Sequence, residues 1–289
     1  MKGLYFSLGL IAFLSVQGLL IAKVEPVSTY FFVFIWWSYI FLIDSLIFLK
    51  MGSSLISRLK AKFLLLIFCS ACFWIFFEIL NLRIANWYYQ GISVFSPGEM
   101  IVFGLFVFGS VLPGILETHE ILQLFGLGRR LEFLRWEKSS KLLKWKWWGY
   151  PPYLWMAIGV MMIIISLTWP RYWFWTIWIA VIFILDPVVE KNGSKGIFTE
   201  LREGNVRNFY RLLVTGLVCG IFWEFWNYWA GLKWVYTVPF VGQWKIFEMP
   251  VLGYLAFPFF ALECYVFYQW LGCQQSRLRR LIKINGGVK

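Results

Sequence analysis

Apolar residues along this chain come in long, nearly unbroken runs rather than in the alternating or every-third-or-fourth pattern of half-buried elements. Eight runs stand out, over residues 4–22, 28–49, 62–82, 99–124, 152–168, 172–189, 209–230 and 249–271. Each approaches the ~20 residues that a helix needs to cross the hydrocarbon of a bilayer. A soluble core cannot bury so many helices that are apolar all round, so the pattern predicts membrane spans. The first run follows a single lysine, Lys2, and has no small-x-small site before Lys23. It reads as a retained helix rather than a cleaved signal.

The polar segments between runs alternate in charge. Lys50, Arg58, Lys60 and Lys62 follow the second run, and seven basic residues from Arg129 to Lys146 follow the fourth. Lys191, Lys195, Arg202, Arg207 and Arg211 follow the sixth, and Arg277, Arg279, Arg280 and Lys283 follow the eighth. The other loops hold only Lys23, Arg83, Arg171, Lys233 and Lys245. Positive-inside bias then predicts a multi-pass protein with both termini in the cytoplasm, expected in the cytoplasmic membrane of a prokaryote. The stretch from Arg129 to Gly149 mixes these cations with Leu, Phe and Trp. It is expected to lie on the cytoplasmic membrane surface against anionic lipid headgroups, with a protein partner as the alternative.

The runs also repeat. YFFVFIWWSYIFLID, from Tyr30 to Asp44, matches YWFWTIWIAVIFILD, from Tyr172 to Asp186, at an offset of 142. FFEILN at Phe76–Asn81 matches FWEFWN at Phe222–Asn227, and EMIVFG from Glu99 matches EMPVLG from Glu248. PGILE ending at Glu117 matches PFFALE ending at Glu263, and Trp87-Tyr88 corresponds to Trp234-Val-Tyr236. The expected fold is therefore an all-α integral membrane protein of eight transmembrane helices, built as two parallel four-helix repeats. Residues 1–127 form the first repeat, 128–149 a basic amphipathic linker, 150–273 the second repeat and 274–289 a basic tail.

Composition narrows the chemistry. Of 289 residues, 60% are hydrophobic and only 15% charged, well below a soluble domain. The net charge of +12 follows from topology rather than from nucleic-acid binding. One histidine excludes a His-rich di-iron centre or a HExxH zinc site. No Gly-rich phosphate loop and no G-x-S-x-G elbow occurs, so no metal and no cofactor is called for. Cys69 and Cys72 fall inside an apolar run and read as packing residues.

What remains is a set of acids inside the runs, where charge is expensive and usually functional or structural glue. Glu78, Glu99, Glu224 and Glu248, with Asn81 and Asn227 one helical turn from Glu78 and Glu224, are expected to line one outer cavity. Trp87, Tyr88, Trp234 and Tyr236 would roof it, or else form an interfacial belt. Glu117 and Glu263 lie deeper, and His119 beside Glu117 is a candidate proton carrier or a buried hydrogen-bonding group. Asp44 and Asp186, near cytoplasmic ends, are expected to cap helices or pair with loop cations.

An acid in an apolar run, a W-x-Y turn and a Glu at the start of the next run resemble the repeating unit of the membrane lycopene cyclases. The best-matching segment starts at Glu224 and passes through Trp234, Tyr236 and Glu248. Glu248-Met-Pro250 departs from that family's Pro-x-Glu-Glu element, and the four runs per half exceed its three. The resemblance implies cofactor-free cyclisation of a membrane isoprenoid. A protonated Glu would add H⁺ to an alkene, aromatic faces would hold the cation, and a second carboxylate would take a proton off. Glu224 and Glu248 lead as acid and base, with Glu78 and Glu99 as counterparts and Asn81 and Asn227 orienting them. Two other classes stay open: a transporter or proton-coupled carrier with its site at the repeat interface, and a non-catalytic subunit or pigment-binding protein.

Overall fold

The structure is a computed structural model and describes residues 2–91, 96–127 and 151–285. The basic stretch 128–149 lies outside the described residues. Among the described residues, seven helices are long and apolar enough to cross a membrane, which makes the chain an all-α integral membrane protein. The chain divides into two compact units, and two of the three divisions fall inside long helices.

The first unit takes Met1–Phe125 and Thr215–Phe257. It contains α1 (Lys2–Ile21), α2 (Phe31–Met51), the short α3 (Leu55–Leu59), α4 (Lys62–Ile84), α5 (Pro97–Gly109), α6 (Val111–Leu124) and the C-terminal part of a later helix, Arg207–Trp229. Phe31, Phe32, Ile35, Trp36, Ile40, Phe77 and Leu112 are its most deeply buried side chains. In lipid the outside of a helix is as apolar as the inside, so close packing at small residues does more than burial to hold helices together. Gly9 of α1 lets the backbone of α2 approach at Leu42, and Gly114 of α6 seats the Trp36 ring, which a Cβ would meet at 2.8 Å.

The fourth predicted run is one span in two pieces. Pro113 has no N–H to give, so the ladder breaks at Ser110 between α5 and α6. Ser70 of α4 repairs the break: its hydroxyl donates to Phe108 O at 2.7 Å and accepts from Leu112 N at 2.9 Å. The matched proline, Pro258, also stands at a break. A 3-10 turn at Val251–Leu255 precedes a helix from Ala256.

The second unit comprises the described residues of Gly126–Val214 and Pro258–Lys289. It contains α7 (Pro152–Thr168), α8 (Pro170–Trp173), a 3-10 turn (Phe174–Thr176), α9 (Ile177–Lys191), α10 (Ile197–Arg202), the start of α11 (Arg207–Trp229) and most of α12 (Ala256–Asn285). Its core joins Ile182, Val189, Ile197, Leu212, Leu262 and Val266. The last helix continues well past residue 271 into the segment expected to be a tail, because QQSRLRRLIK holds no helix breaker before Gly286.

Both intramembrane aspartates cap short helices. Asp44 accepts from Ile56 N at 2.9 Å at the start of α3, and Asp186 accepts from Ile197 N at 2.6 Å and Phe198 N at 3.1 Å at the start of α10. Gly196 is required there, since a Cβ would sit 2.4 Å from Asp186 Oδ1.

The close contact of α7 with α9 is set by Gly159, whose added Cβ would lie 2.7 Å from the backbone oxygen of Ala180. Gly159→Val should therefore destabilise the detergent-purified protein by about 1–3 kcal/mol, read as a lowered thermal midpoint. Gly18→Ala, where nothing lies within 4 Å, should leave the midpoint unchanged or slightly raised.

Candidate functional site

Two helices of the first unit end in the same way. Near the end of α4, Glu78 is followed after three residues by Asn81; near the end of α11, Glu224 is followed by Asn227. Each Asn then takes hold of the backbone of a tryptophan in the loop. Asn81 Nδ2 donates to Trp87 O at 2.8 Å, and its Oδ1 accepts from Asn86 N at 2.9 Å and Trp87 N at 3.4 Å. Asn227 Nδ2 donates to Trp234 O at 2.9 Å, and its Oδ1 accepts from Trp234 N at 3.0 Å. Orphan backbone groups beyond the helix end are thereby satisfied without water.

The clamped tryptophans lie at or next to the start of two short strands, β1 (Trp87–Gln90) and β2 (Lys233–Tyr236), that pair antiparallel. Trp87 faces Tyr236, Tyr88 faces Val235 and Tyr89 faces Trp234. Side chains alternate along a strand, so Trp87, Tyr89, Trp234 and Tyr236 share one face while Tyr88 points the other way and is 47% exposed. The roof therefore uses Tyr89 where Tyr88 was expected. The repeat is W-x-Y in both halves, Trp87-x-Tyr89 and Trp234-x-Tyr236.

Both glutamates receive these side chains, but unequally. Glu78 Oε1 accepts from Tyr89 OH at 2.5 Å and Trp74 Nε1 at 2.7 Å, and Trp87 Nε1 lies 3.2 and 3.3 Å from its two oxygens. Glu224 is fully buried. Its Oε1 accepts from Tyr236 OH at 2.8 Å, and Trp234 Nε1 donates to that same hydroxyl at 2.8 Å. Glu224 Oε2 has no hydrogen-bond partner among the described residues. Burial pushes the phenols of Tyr89 and Tyr236 well above their ordinary value, and the neighbouring glutamates push the same way. Both hydroxyls are thus neutral donors throughout the physiological range.

Indole rings connect the two carboxyls. Trp87 lies 6.2 Å from Trp74, Trp74 5.5 Å from Trp223, and Trp223 5.9 Å from Trp234, centroid to centroid, with Phe32 edge-on to Trp234 at 4.7 Å. Glu248 stands in the loop beyond β2, where β3 (Lys245–Ile246) and β4 (Met249–Pro250) form a second two-stranded ribbon. Lys233 Nζ pairs with Glu248 Oε1 at 2.6 Å, in a largely buried setting, and lies 5.2 Å from the ring centre of Tyr228. Glu248 and Lys245 both act electrostatically on Glu224.

Glu99 does not join this group. Its Oε2 accepts from Ser96 N and Ser96 Oγ, both at 2.8 Å, closing a capping box at the start of α5. Ser-Pro-x-Glu is the signature of such a cap, and an exposed carboxylate in the first turn satisfies the orphan N–H groups there. Glu99 instead borders an apolar cleft of about 430 Å³ with Tyr30, Phe34, Val102 and Phe106. Glu117 is buried deep in the same unit, and His119 is half-buried on the same helix. Glu263 belongs to the second unit and accepts from Val181 N at 3.0 Å. These three are not part of the aromatic roof. Trp74, Trp223 and Lys233 take part in the site although nothing in their local sequence marked them.

No known protein family matches the chain, and no curated protein or solved structure matches it.

Removing an Asn strands the N–H and C=O of one tryptophan. Asn227→Ala, at a fully buried position, should cost about 1–3 kcal/mol of stability in detergent. Asn81→Ala, at a half-buried position, should cost less, and both losses should appear as lowered midpoints of tryptophan-monitored unfolding.

Proposed function

We propose that this protein is a membrane enzyme that rearranges an apolar, isoprenoid-type lipid by proton transfer between carboxyl groups. The observation that carries the reading is Glu224 Oε2, a buried carboxyl oxygen without a partner beside a row of indoles. An unpartnered oxygen on a buried carboxyl is where an acid proton sits, ready for a substrate that offers only an alkene. Glu78, with donors from three side chains, is instead held as an acceptor.

Glu224 gives its proton to one carbon of a double bond, forming a C–H bond and leaving a cation on the neighbouring carbon. The faces of Trp223, Trp234 and Trp74 stabilise that cation, and the apolar surroundings keep water from capturing it. Glu248, kept as a carboxylate by Lys233, removes a proton from the next carbon and restores a double bond. The substrate gains one proton and loses one, so the net change is isomerisation or ring closure. Transfer from Glu248 back to Glu224 resets the pair. No metal or cofactor enters these steps. Likeness to the membrane lycopene cyclases supports this reading through the Glu, W-x-Y and Glu spacing.

We further infer that α7, with 17 residues, crosses the membrane with the seven longer helices, giving eight spans in two parallel four-helix repeats. Both termini and the basic segments then lie in the cytoplasm of a prokaryotic cell, with the segment 128–149 on anionic lipid. The equivalent Glu–Asn–Trp–Tyr geometry at the ends of α4 and α11 supports the repeat.

Expression in a host that accumulates lycopene or another linear isoprenoid should yield a product of unchanged mass and altered retention in extracts analysed by chromatography and mass spectrometry. Glu224→Gln should abolish it, and Lys233→Met should reduce it at least tenfold while the protein still folds. Unchanged pigments, or full activity in a Glu224→Gln/Glu248→Gln double variant, would refute the reading.

A further inference from the structure

A second candidate site lies in the first unit, in the cleft between α2 and α5. Its volume of about 430 Å³ falls within the ~300–1,000 Å³ of sites that take small organic ligands. Its walls are apolar, with Tyr30, Val33 and Phe34 at the start of α2 and Val102 and Phe106 on α5. Phe34, Val102 and Phe106 are exposed, so the cleft is open along its side. The rings of Tyr30 and Phe103 lie 5.5 Å apart, and Trp37 Nε1 donates to Phe106 O at 3.1 Å. From Glu99 to Phe106 the α5 wall runs ~10 Å, at about 1.5 Å per residue. Only the Glu99 end is charged. Glu99 uses Oε2 in the capping box with Ser96, and its Oε1 has no hydrogen-bond partner among the described residues.

The matched carboxyl shows what such a group can hold. EMIVFG from Glu99 corresponds to EMPVLG from Glu248. Glu248 holds a primary ammonium: Lys233 Nζ donates to its Oε1 at 2.6 Å and lies 5.2 Å from the ring centre of Tyr228. Lys233 directly precedes Trp234, and the residue that directly precedes the matched Trp87 is Asn86. Asn86 is neutral and is tied into the turn after α4, its N donating to Asn81 Oδ1 at 2.9 Å and its O accepting from Thr237 N at 2.8 Å. Glu99 therefore has no counterpart of Lys233, and none of the described residues lining the cleft is basic. Residues 92–95, Ile-Ser-Val-Phe, add no charge to the sequence here. An open carboxylate oxygen beside apolar wall favours a cationic donor from outside the chain.

We propose that this cleft binds one membrane lipid with a primary-amine headgroup, of the phosphatidylethanolamine kind. The ammonium donates to Glu99 Oε1, in the role that Lys233 has on Glu248, and one hydrocarbon chain lies against Phe34, Val102 and Phe106. A charge at one end and apolar wall beyond it suit an amphiphile. A wholly apolar isoprenoid would cover the carboxylate without answering its charge. A choline headgroup has no N–H to donate, and a glycerol-phosphate headgroup brings negative charge alone. The site does not depend on the chemistry proposed for Glu224.

The test uses the full-length protein in detergent, with dioleoyl phosphatidylethanolamine, phosphatidylcholine or phosphatidylglycerol added at equal mole fraction. Native mass spectrometry counts the lipid retained per protein, and the thermal midpoint is followed over the same series. Wild type should retain the ethanolamine lipid severalfold more than the other two, with a saturable rise in midpoint. Glu99→Gln preserves the capping box, in which Gln accepts the same bonds, and should bring the three lipids to one level. Val102→Trp should fill the cleft and lower retention of the ethanolamine lipid severalfold. Ile101→Trp, at an exposed neighbouring position outside the cleft, should leave retention unchanged. Either cleft variant decides the matter if the other does not fold. Equal retention of the three lipids by wild type overturns the proposal. So does a preference for the ethanolamine lipid that survives in Glu99→Gln or Val102→Trp, or displacement of that lipid from the cleft by an equal amount of a linear isoprenoid.

Discussion

Two asparagine side chains, each gripping both backbone groups of one tryptophan, decide the shape of the site. Beyond the last turn of a helix the backbone has unpaired donors and acceptors, and near a membrane it cannot count on water for them. Asn227 answers this for Trp234, and Asn81 for Trp87, with nearly identical bonds. With the tryptophan of each strand fixed, strand alternation places the tyrosine two residues on, and antiparallel pairing sets each Trp opposite the other strand's Tyr. Trp87, Tyr89 and Tyr236 are delivered to Glu78 and Glu224 by this arrangement, whereas Trp74 reaches Glu78 from the helix that bears it.

From an almost symmetric frame comes an unsymmetric pair of acids. Trp74 of α4 turns its N–H to Glu78; the residue at the matched place in α11 is Gly220, which packs against the Phe257 ring and offers no donor. Glu78 is thereby saturated with hydrogen bonds, while Glu224 keeps one oxygen unpaired in full burial. Trp74 against Gly220, and Trp87 Nε1 turned to Glu78 where Trp234 Nε1 turns to Tyr236 OH, together set the two carboxyls apart. The ion pair of Lys233 with Glu248 adds a second carboxyl, held by a cation, to the same unit. Pushing neighbouring acids apart in character is how one site can hold both an acid and a base.

The spans were legible because run length alone signals them, and all but the last of the seven long helices start and stop within a few residues of the runs. The strands were not, since four residues in a polar loop carry too little alternation to be seen. That gap produced the error of taking Tyr88 for Tyr89: without a strand there is no reason to skip a residue. Glu99 shows the opposite case. Its capping box with Ser96 and Pro97 was written in the sequence, but the match to Glu248 drew it into a cavity that it does not enter. Trp74 and Lys233 were not picked out although their partners are near in sequence, Glu78 one helical turn after Trp74 and Glu248 15 residues after Lys233, because one Trp in an aromatic-rich run and one Lys in a loop carry no pattern of their own. The acids themselves were legible for a plain reason: charge inside an apolar run demands an explanation wherever it occurs.

The account turns on Glu224 as the source of a proton delivered to carbon. Running the reaction in D₂O and weighing the product tests this most directly. One deuterium at a single carbon, in a product that Glu224→Gln does not form, is the predicted result. A product formed without deuterium, or deuterium incorporated equally by Glu224→Gln, would contradict it.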